Sequence, residues 1–553
     1  MRLDLLLRNA RVRTLDPDRP AASAVGVLHG RIVGVDEDVT ELGARTVVDC
    51  DGATLVPGFA DAHNHMAWFG LSLAELDLST TASMADLYDA VARRAAGLPS
   101  DAWVIGAGYD DFALGGHPDR AALDRAGGGR PVWLKHRSAH VCVVNTVLLD
   151  RMGVLDGSVR VPEGGVVDRD TGRLEEQAQG LVKALVVPYP VEELASAVAR
   201  AARHYAAEGL THVTEAGIGG GWIGHSPVEA AAYQLARRRG ELAQRVELMP
   251  ASDALHPLRG HPDDDLPVGL DLGLTSGFGD DHLRIGPMKV FLDGALSSHT
   301  AALTEPFRDH PGAGYLQDDE ETLRALVVAA HRAGWRVAAH AIGDRAIDLA
   351  LDAFELAHRL RPRHDVRHRI EHAATVRPDQ LPRLAALGVV PVPQARFLYE
   401  IGDAAADALG PERAATFHRH RSFLDAGLRV AGSSDRPCVS TGAPLAGMRS
   451  MVERRTRNGL VLGPDERVDA ETALRAFTTD AAYASHAEHD RGRIAPGMLA
   501  DLALLDDDPT TVPTSRIDDI EVRATFVGGR CTHGAGNLDD RTTGPPLAQG
   551  GAA

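Results

Sequence analysis

At 553 residues the chain is long enough for a large domain with an accessory one, and 44% hydrophobic and 24% charged residues suit a soluble globular protein. A formal net charge of −19 with no basic stripe excludes a polyanion such as nucleic acid as partner. Four cysteines (Cys50, Cys142, Cys438, Cys531) lie far apart without metal-type spacing, which fits free thiols in a reducing cytoplasm better than a disulfide framework.

The opening run Met1 to Arg8 is too short and too charged for a signal peptide, and no stretch approaches the ~20 apolar residues that span a bilayer. The expectation is a cytoplasmic protein with no membrane partner. Residues 5–50 read as short alternating strands with turn signals, and the far end repeats the style at 501–505 and 521–527. Neither flank has enough core to stand alone, so 1–56 and 488–535 are expected to build one composite β-sandwich. The tail 536–553, rich in Gly, Pro and Ala, is expected to be disordered.

Between the flanks, strand-like runs alternate with helical ones, the pattern of an α/β protein with parallel strands. Strands are expected near 58–63, 211–215, 246–250, 283–292, 336–341, 366–371, 389–393 and 428–432. Helices are expected at 191–207, 227–240, 320–333, 345–360, 378–387 and 411–426. Eight such strands predict a (β/α)8 TIM-type barrel over 57–69 and 189–487. An α+β subdomain of 70–188 is inserted after the first strand, and is expected to cover the barrel mouth.

The first of these strands ends in His63-Asn64-His65. Alternation along a strand sends His63 and His65 to one face, where two imidazoles can share a metal ion, although an isolated pair of this kind can also be incidental. Further candidate ligands stand at the ends of later strands: Lys289, His340, His372 and Asp435. In a barrel of this kind those ends meet, so five strands offer ligands to one ring.

Lysine occurs only at Lys135, Lys183 and Lys289, so 58 basic residues less 3 leaves 55 arginines. Lys289 sits in the apolar run Met288 to Leu292, where burial favours the neutral amine. A neutral amine can take up CO2 as a carbamate that bridges two cations, chemistry closed to guanidinium. The alternative is a buried lysine paired with Asp293 or another acid. Asp435 could ligate a metal and take the proton of a metal-activated water, or simply cap a helix.

Pro57 to His65, Lys289 to Gly294, His340 to Asp344, Arg369 to Ala373, and Gly432 to Asp435 together resemble the amidohydrolase superfamily. More narrowly they resemble amidohydrolase family 3, the branch that includes N-substituted formamide deformylase. The resemblance runs from about Leu5 to Gly529 and includes the run from Gly492 to Leu502 that re-enters the sandwich. It implies that His63 and His65 bind one metal with Asp435, that carboxylated Lys289 bridges, and that His340 and His372 hold a second metal. The pair is expected to be zinc, with iron or manganese as alternatives. Hydroxide between the metals then attacks an amide-type carbonyl, and Asp435 passes the proton to the leaving amine.

The same resemblance makes His140 a substrate contact, although Ala139 replaces the branch's usual glycine, and His299 stands where relatives often carry arginine. Cys438 is read as a small buried hydrophobe or as a residue of the pocket wall. The implied activity is hydrolysis of a non-peptide C–N bond in a small amide, N-formyl or N-acyl substrate. A deaminase or cyclic-amide hydrolase on the same site, and a catalytically silent barrel used as a binding scaffold, are the alternatives. A homo-oligomer is left open.

Overall fold

The computed structural model describes residues 2–137, 141–162 and 164–534. The tail expected to be disordered and His140 therefore lie outside the described residues. The chain divides into two compact units, one of residues 1–67 with 198–553 and one of residues 68–197.

In the larger unit, the predicted parallel strands are present at seven of the eight positions and make two four-stranded sheets. The first holds β1 (Phe59–Asn64), β2 (Leu210–Ile218), β3 (Arg245–Pro250) and β4 (Leu283–Ile285), all parallel, in that spatial order. The second holds β5 (Met288–Phe291), β6 (Val337–Ala341), β7 (Arg369–His372) and β8 (Val390–Val392), likewise parallel.

Two departures from expectation have local causes. The stretch 283–292 is two strands in different sheets, because it is interrupted at Gly286-Pro287. Pro287 has no N–H for a ladder, and a Cβ on Gly286 would stand 2.6 Å from the Glu247 side chain. The stretch 428–432 is not a regular strand. Gly432 packs on the Phe477 ring so closely that a Cβ would be 2.8 Å away. The segment joins its neighbours through single contacts instead: Ala62 N–H to Gly432 O at 3.0 Å, Asp435 N–H to His63 O at 2.7 Å, and a bridge between Gln394 and Ser433.

Helices lie between most of these strands. Glu320–Arg332 starts at Asp319, whose carboxylate accepts the Thr322 N–H at 3.0 Å, and Asp344–Leu360 buries Ile347, Leu351 and Phe354. The expected helix 411–426 is broken into Pro411–Ala414 and His420–Asp425, because His418 takes a left-handed φ of 52° between them. Strands β5 to β7 and these helices share one core built around Met288, Val327, Trp335, Val337, Phe354 and Ile370.

The chain ends pair with one another. Leu502–Leu505 runs antiparallel to Thr54–Pro57, and around that pair a six-stranded sheet collects Arg11–Arg13, Ala21–Ala22, Val522–Val527 and Arg530–His533. A four-stranded sheet of residues from 3–49 shares its core: Leu5, Val27, Ile32, Leu55, Leu502 and Phe526 are buried together.

The smaller unit is a six-stranded mixed sheet with Val132–His136 and Val141–Val144 antiparallel at its centre and Val104–Tyr109 parallel to Val132–His136. Helices Met84–Ala96 and Arg120–Gly127 start at Ser83 and Asp119 caps and bury Leu87, Val91 and Leu123. Among the described residues no helix is long and apolar enough to cross a membrane.

Candidate metal centre

β1 ends with His63 and His65 on the same face, as strand alternation requires. His63 donates Nδ1–H to Glu371, a fully buried carboxylate held in turn by the Arg369 guanidinium at 2.8 and 2.9 Å. That bond fixes the tautomer and leaves the Nε2 lone pair facing Asp435 Oδ1 at 3.3 Å and Lys289 Nζ at 3.4 Å. His65 reaches the same Asp435 oxygen with Nε2 at 3.0 Å and has Glu215 3.6 Å from Nδ1.

β6 and β7 bring the other imidazoles. His372 donates Nδ1–H to the Gln394 amide oxygen at 2.6 Å, and Gln394 is itself anchored on Val392 O at 3.0 Å. His340 donates Nε2–H to Gly294 O at 3.1 Å, so its buried Nδ1 keeps a lone pair with no hydrogen-bond partner. The His340 and His372 rings are 4.4 Å apart and those of His63 and His372 5.1 Å.

Alternation along β7 puts Glu371 and His372 on opposite faces. A left-handed φ of 72° at His372, followed by 44° at Ala373, ends the alternation and lets both residues serve one site. Asp435 is turned the same way, with φ 58°. Asp61 supports that turn by accepting N–H bonds from Ser434 at 3.0 Å and His63 at 3.2 Å and the Ser434 hydroxyl. Burial pushes the Asp61 carboxyl up to about 6 against these donors.

The charges suit a cation. Burial alone would raise the Asp435 pKa, but the surrounding imidazoles, with a hydrogen bond from His65, hold it well below the carboxylate range, so it is ionised. Burial brings the Lys289 amine down to about 8, against the pull of Glu371 and Asp435. His340 is lowered to about 3 by burial and then by Lys289, and His372 falls well below its ordinary value for the same first reason, so both are neutral and able to ligate. His65 goes the other way, to about 9, because Asp435 and Glu215 outweigh its burial, so a metal bound there would displace its proton.

All six sequence-predicted ligands thus enter one contact network. Ligand atoms of His63, His372 and Asp435 all lie within 4.8 Å of one another, and imidazole nitrogen with carboxylate oxygen is the donor set that zinc and other divalent transition metals take. The unpartnered His340 Nδ1 fits the same guest.

His299 stacks on His310 at 5.0 Å and meets Phe307 at 4.9 Å. Cys438 is exposed, which corrects its reading as a buried hydrophobe, while its thiol interacts with the Asp435 carboxylate, in keeping with a residue of the pocket wall. Sequence reasoning missed Glu371, Gln394, Asp61 and Glu215 as supports. Only Glu371 left a local signal, in its spacing of two from Arg369 on one strand face.

The chain matches the amidohydrolase family over residues 46–533. It is 31% identical to N-substituted formamide deformylase of Arthrobacter pascens, covering 95% of this chain and 97% of that protein. It is 30% identical to the Arabidopsis thaliana protein LONG AFTER FAR-RED 3, covering 95% and 91%. Among solved structures, an uncharacterized metal-dependent hydrolase from Pyrococcus furiosus superposes with a TM-score of 0.75 at 28% identity, covering 92% of this chain and all (100%) of that one. The chain therefore belongs to the amidohydrolase family and is a metal-dependent hydrolase acting on carbon–nitrogen bonds.

Proposed function

We propose that the protein hydrolyses a non-peptide C–N bond in a small amide, N-formyl or N-acyl compound, using His63, His65, Lys289, His340, His372 and Asp435 to hold two divalent metals. One observation carries the reading. Three imidazoles each spend one ring nitrogen on a fixed partner (Glu371, Gln394 and the Gly294 carbonyl) and keep the other for a shared guest beside Asp435 and Lys289. Zinc suits these donors, with iron or manganese as alternatives.

Lys289 is the bridge in this scheme. Its buried amine would add to CO2 and lose one proton, and the resulting carbamate could supply carboxylate-type oxygens for holding the metals. When bound, the metals supply Lewis acidity toward the scissile carbonyl and acidify the attacking water. Asp435, ionised and at the centre of the cluster, takes the water's proton and returns it to the leaving amine. The two parallel sheets are read as halves of one (β/α)8 barrel, completed by the segment that carries Asp435. The composite sheets flank this barrel, the insertion carries His140 as a substrate contact, and four free cysteines suit a cytoplasmic setting.

The resemblance to a deformylase of N-substituted formamides favours N-formyl amines as the first substrates to test. Zinc-loaded protein incubated with a panel of N-formyl and N-acyl amines should release an acid and an amine, identified by mass spectrometry. Release of ammonia instead would assign a deaminase or cyclic-amide hydrolase. Protein that holds no metal and stays inert after reconstitution with bicarbonate would refute the hydrolytic reading in favour of a scaffold.

A further inference from the structure

The metal centre uses the C-terminal ends of the parallel strands. Their N-terminal halves carry a second polar cluster that the hydrolytic scheme does not use. His212 on β2 pairs across the sheet with Arg245 on β3, and one rung further Glu247 pairs with Arg284 on β4. Arg336 precedes β6, Arg369 opens β7, and Arg491 comes from the segment leading to the C-terminal strands. His212, Arg245, Glu247, Arg336, Arg369 and Arg491 are all less than 9% exposed.

Two of these arginines are neutralised. Arg245 grips Asp501 at 2.7 and 3.1 Å, and Arg369 grips Glu371. Arg284 and Arg336 share the single carboxylate of Glu247 at 3.5 and 3.6 Å. Arg491 has no ion pair among the described residues, although an unpaired buried guanidinium is among the most costly groups a core can hold.

Hydrogen bonding repeats the imbalance. Among the described residues, the buried atoms of these side chains without a partner are Arg284 Nε, Arg369 Nη1, Arg491 Nε and Nη1, both ring nitrogens of His212, and Glu247 Oε2. Each guanidinium nitrogen is a donor, and so is one of the two imidazole nitrogens. The only acceptors among these atoms are Glu247 Oε2 and the other imidazole nitrogen. A water that accepts from this group must also place two protons of its own, whereas an anion only accepts.

A cavity of about 10 Å³ lies against His212 and Arg491, closed by Gly58, Thr211, Thr478 and Asp501, whose carboxylate oxygens are taken up by Arg245 and the Gly528 N–H. That is room for about one small particle. Burial, followed by the fields of Arg491, Arg284, Arg245 and Arg369, keeps His212 neutral and far below its ordinary pKa, the signature of a positive enclosure.

We propose that this cavity is a binding site for a small monovalent anion of chloride size, bound directly by Arg491 and His212 within the field of Arg284 and Arg369. The site is independent of the reaction assigned to the metal centre.

Crystals of the full chain grown in sodium bromide, measured at the bromine edge, should show an anomalous peak within hydrogen-bonding distance of Arg491 and His212. In solution, sodium chloride should raise Tm saturably above sodium gluconate of equal ionic strength, and Arg491→Met should abolish the difference. Water density without an anomalous peak, together with equal Tm in the two salts, would overturn the proposal. The wild-type bromide peak decides the matter if Arg491→Met does not fold.

Discussion

His63 can offer Nε2 to a metal only while Nδ1 keeps its proton, and Glu371 is the group that holds that proton in place. Burial would raise the pKa of Glu371, but Arg369 and His63 bring it well below the carboxylate range, so it is a permanent anion and a firm acceptor. Glu371→Gln keeps the shape and removes the charge. It should weaken metal binding about 10–100-fold, the usual loss when a ligand's orienting partner is removed, as read by chelator competition. Unchanged affinity would show that Glu371 does not orient His63. At Lys289 the amine is the essential feature, since a guanidinium cannot form a carbamate. Lys289→Arg should leave the far-UV spectrum intact and reduce bound metal from two ions to at most one per chain by plasma mass spectrometry. A full complement in that variant would remove the bridge from the mechanism.

Helix Glu320–Arg332 is tied to the start of β6 and β7 by a relay of two histidines. Val337 N–H donates to His368 Nδ1 at 3.0 Å, His368 Nε2–H donates to His331 Nδ1 at 2.8 Å, and His331 Nε2–H donates to Arg361 O at 2.8 Å. Each ring has one proton and one lone pair in use, so a further proton on either ring breaks a bond. Burial first, and neighbouring positive groups second, lower the folded-state pKa of both. A lowered histidine pKa means that the unfolded chain binds more protons below about pH 6.5. The relay's contribution is therefore complete above that pH and is lost as the pH falls toward the folded-state values, at about 1.4 kcal/mol per pH unit for each histidine. Urea unfolding at pH 7.5 and 5.5 should show this loss in the wild type and a smaller one in His368→Gln. Identical losses would place the acid sensitivity elsewhere.

At the scale of the whole molecule, the two compact units differ in how local they are. Residues 68–197 have their own cores, one around Leu87, Val104, Leu123, Leu134 and Val143 and another around Trp133, Cys142, Leu148 and Leu174. The ends of this stretch also meet, since a Cβ on Gly70 would lie 1.9 Å from Ala197 O. A fragment of residues 68–197 should therefore melt cooperatively by circular dichroism. A non-cooperative melt would show that its core depends on the remainder of the chain. The larger unit is non-local throughout, with Thr54–Pro57 paired to Leu502–Leu505. Truncation before Leu502 should leave Val12, Val27 and Leu55 without their covering and yield insoluble protein.

Taken alone, the sequence determined the α/β alternation, the positions of seven parallel strands, the six residues that gather at their ends and the family. Each of these signals is local: a period of two along a strand, a histidine pair two apart, a lysine where arginine was the rule. Only the tertiary structure decided how those residues are used. The choice of which nitrogen His63, His340 and His372 present depends on Glu371, the Gly294 carbonyl and Gln394, and each of these three partners comes from another strand or loop. The left-handed turns at His372 and Asp435 and the break at Gly286-Pro287 could not be read from periodicity, because strand alternation assumes the regular backbone that these residues leave. The buried arginines around His212 were hidden for the same reason. Charge counts along a chain do not reveal which guanidinium groups the fold brings together without a carboxylate between them.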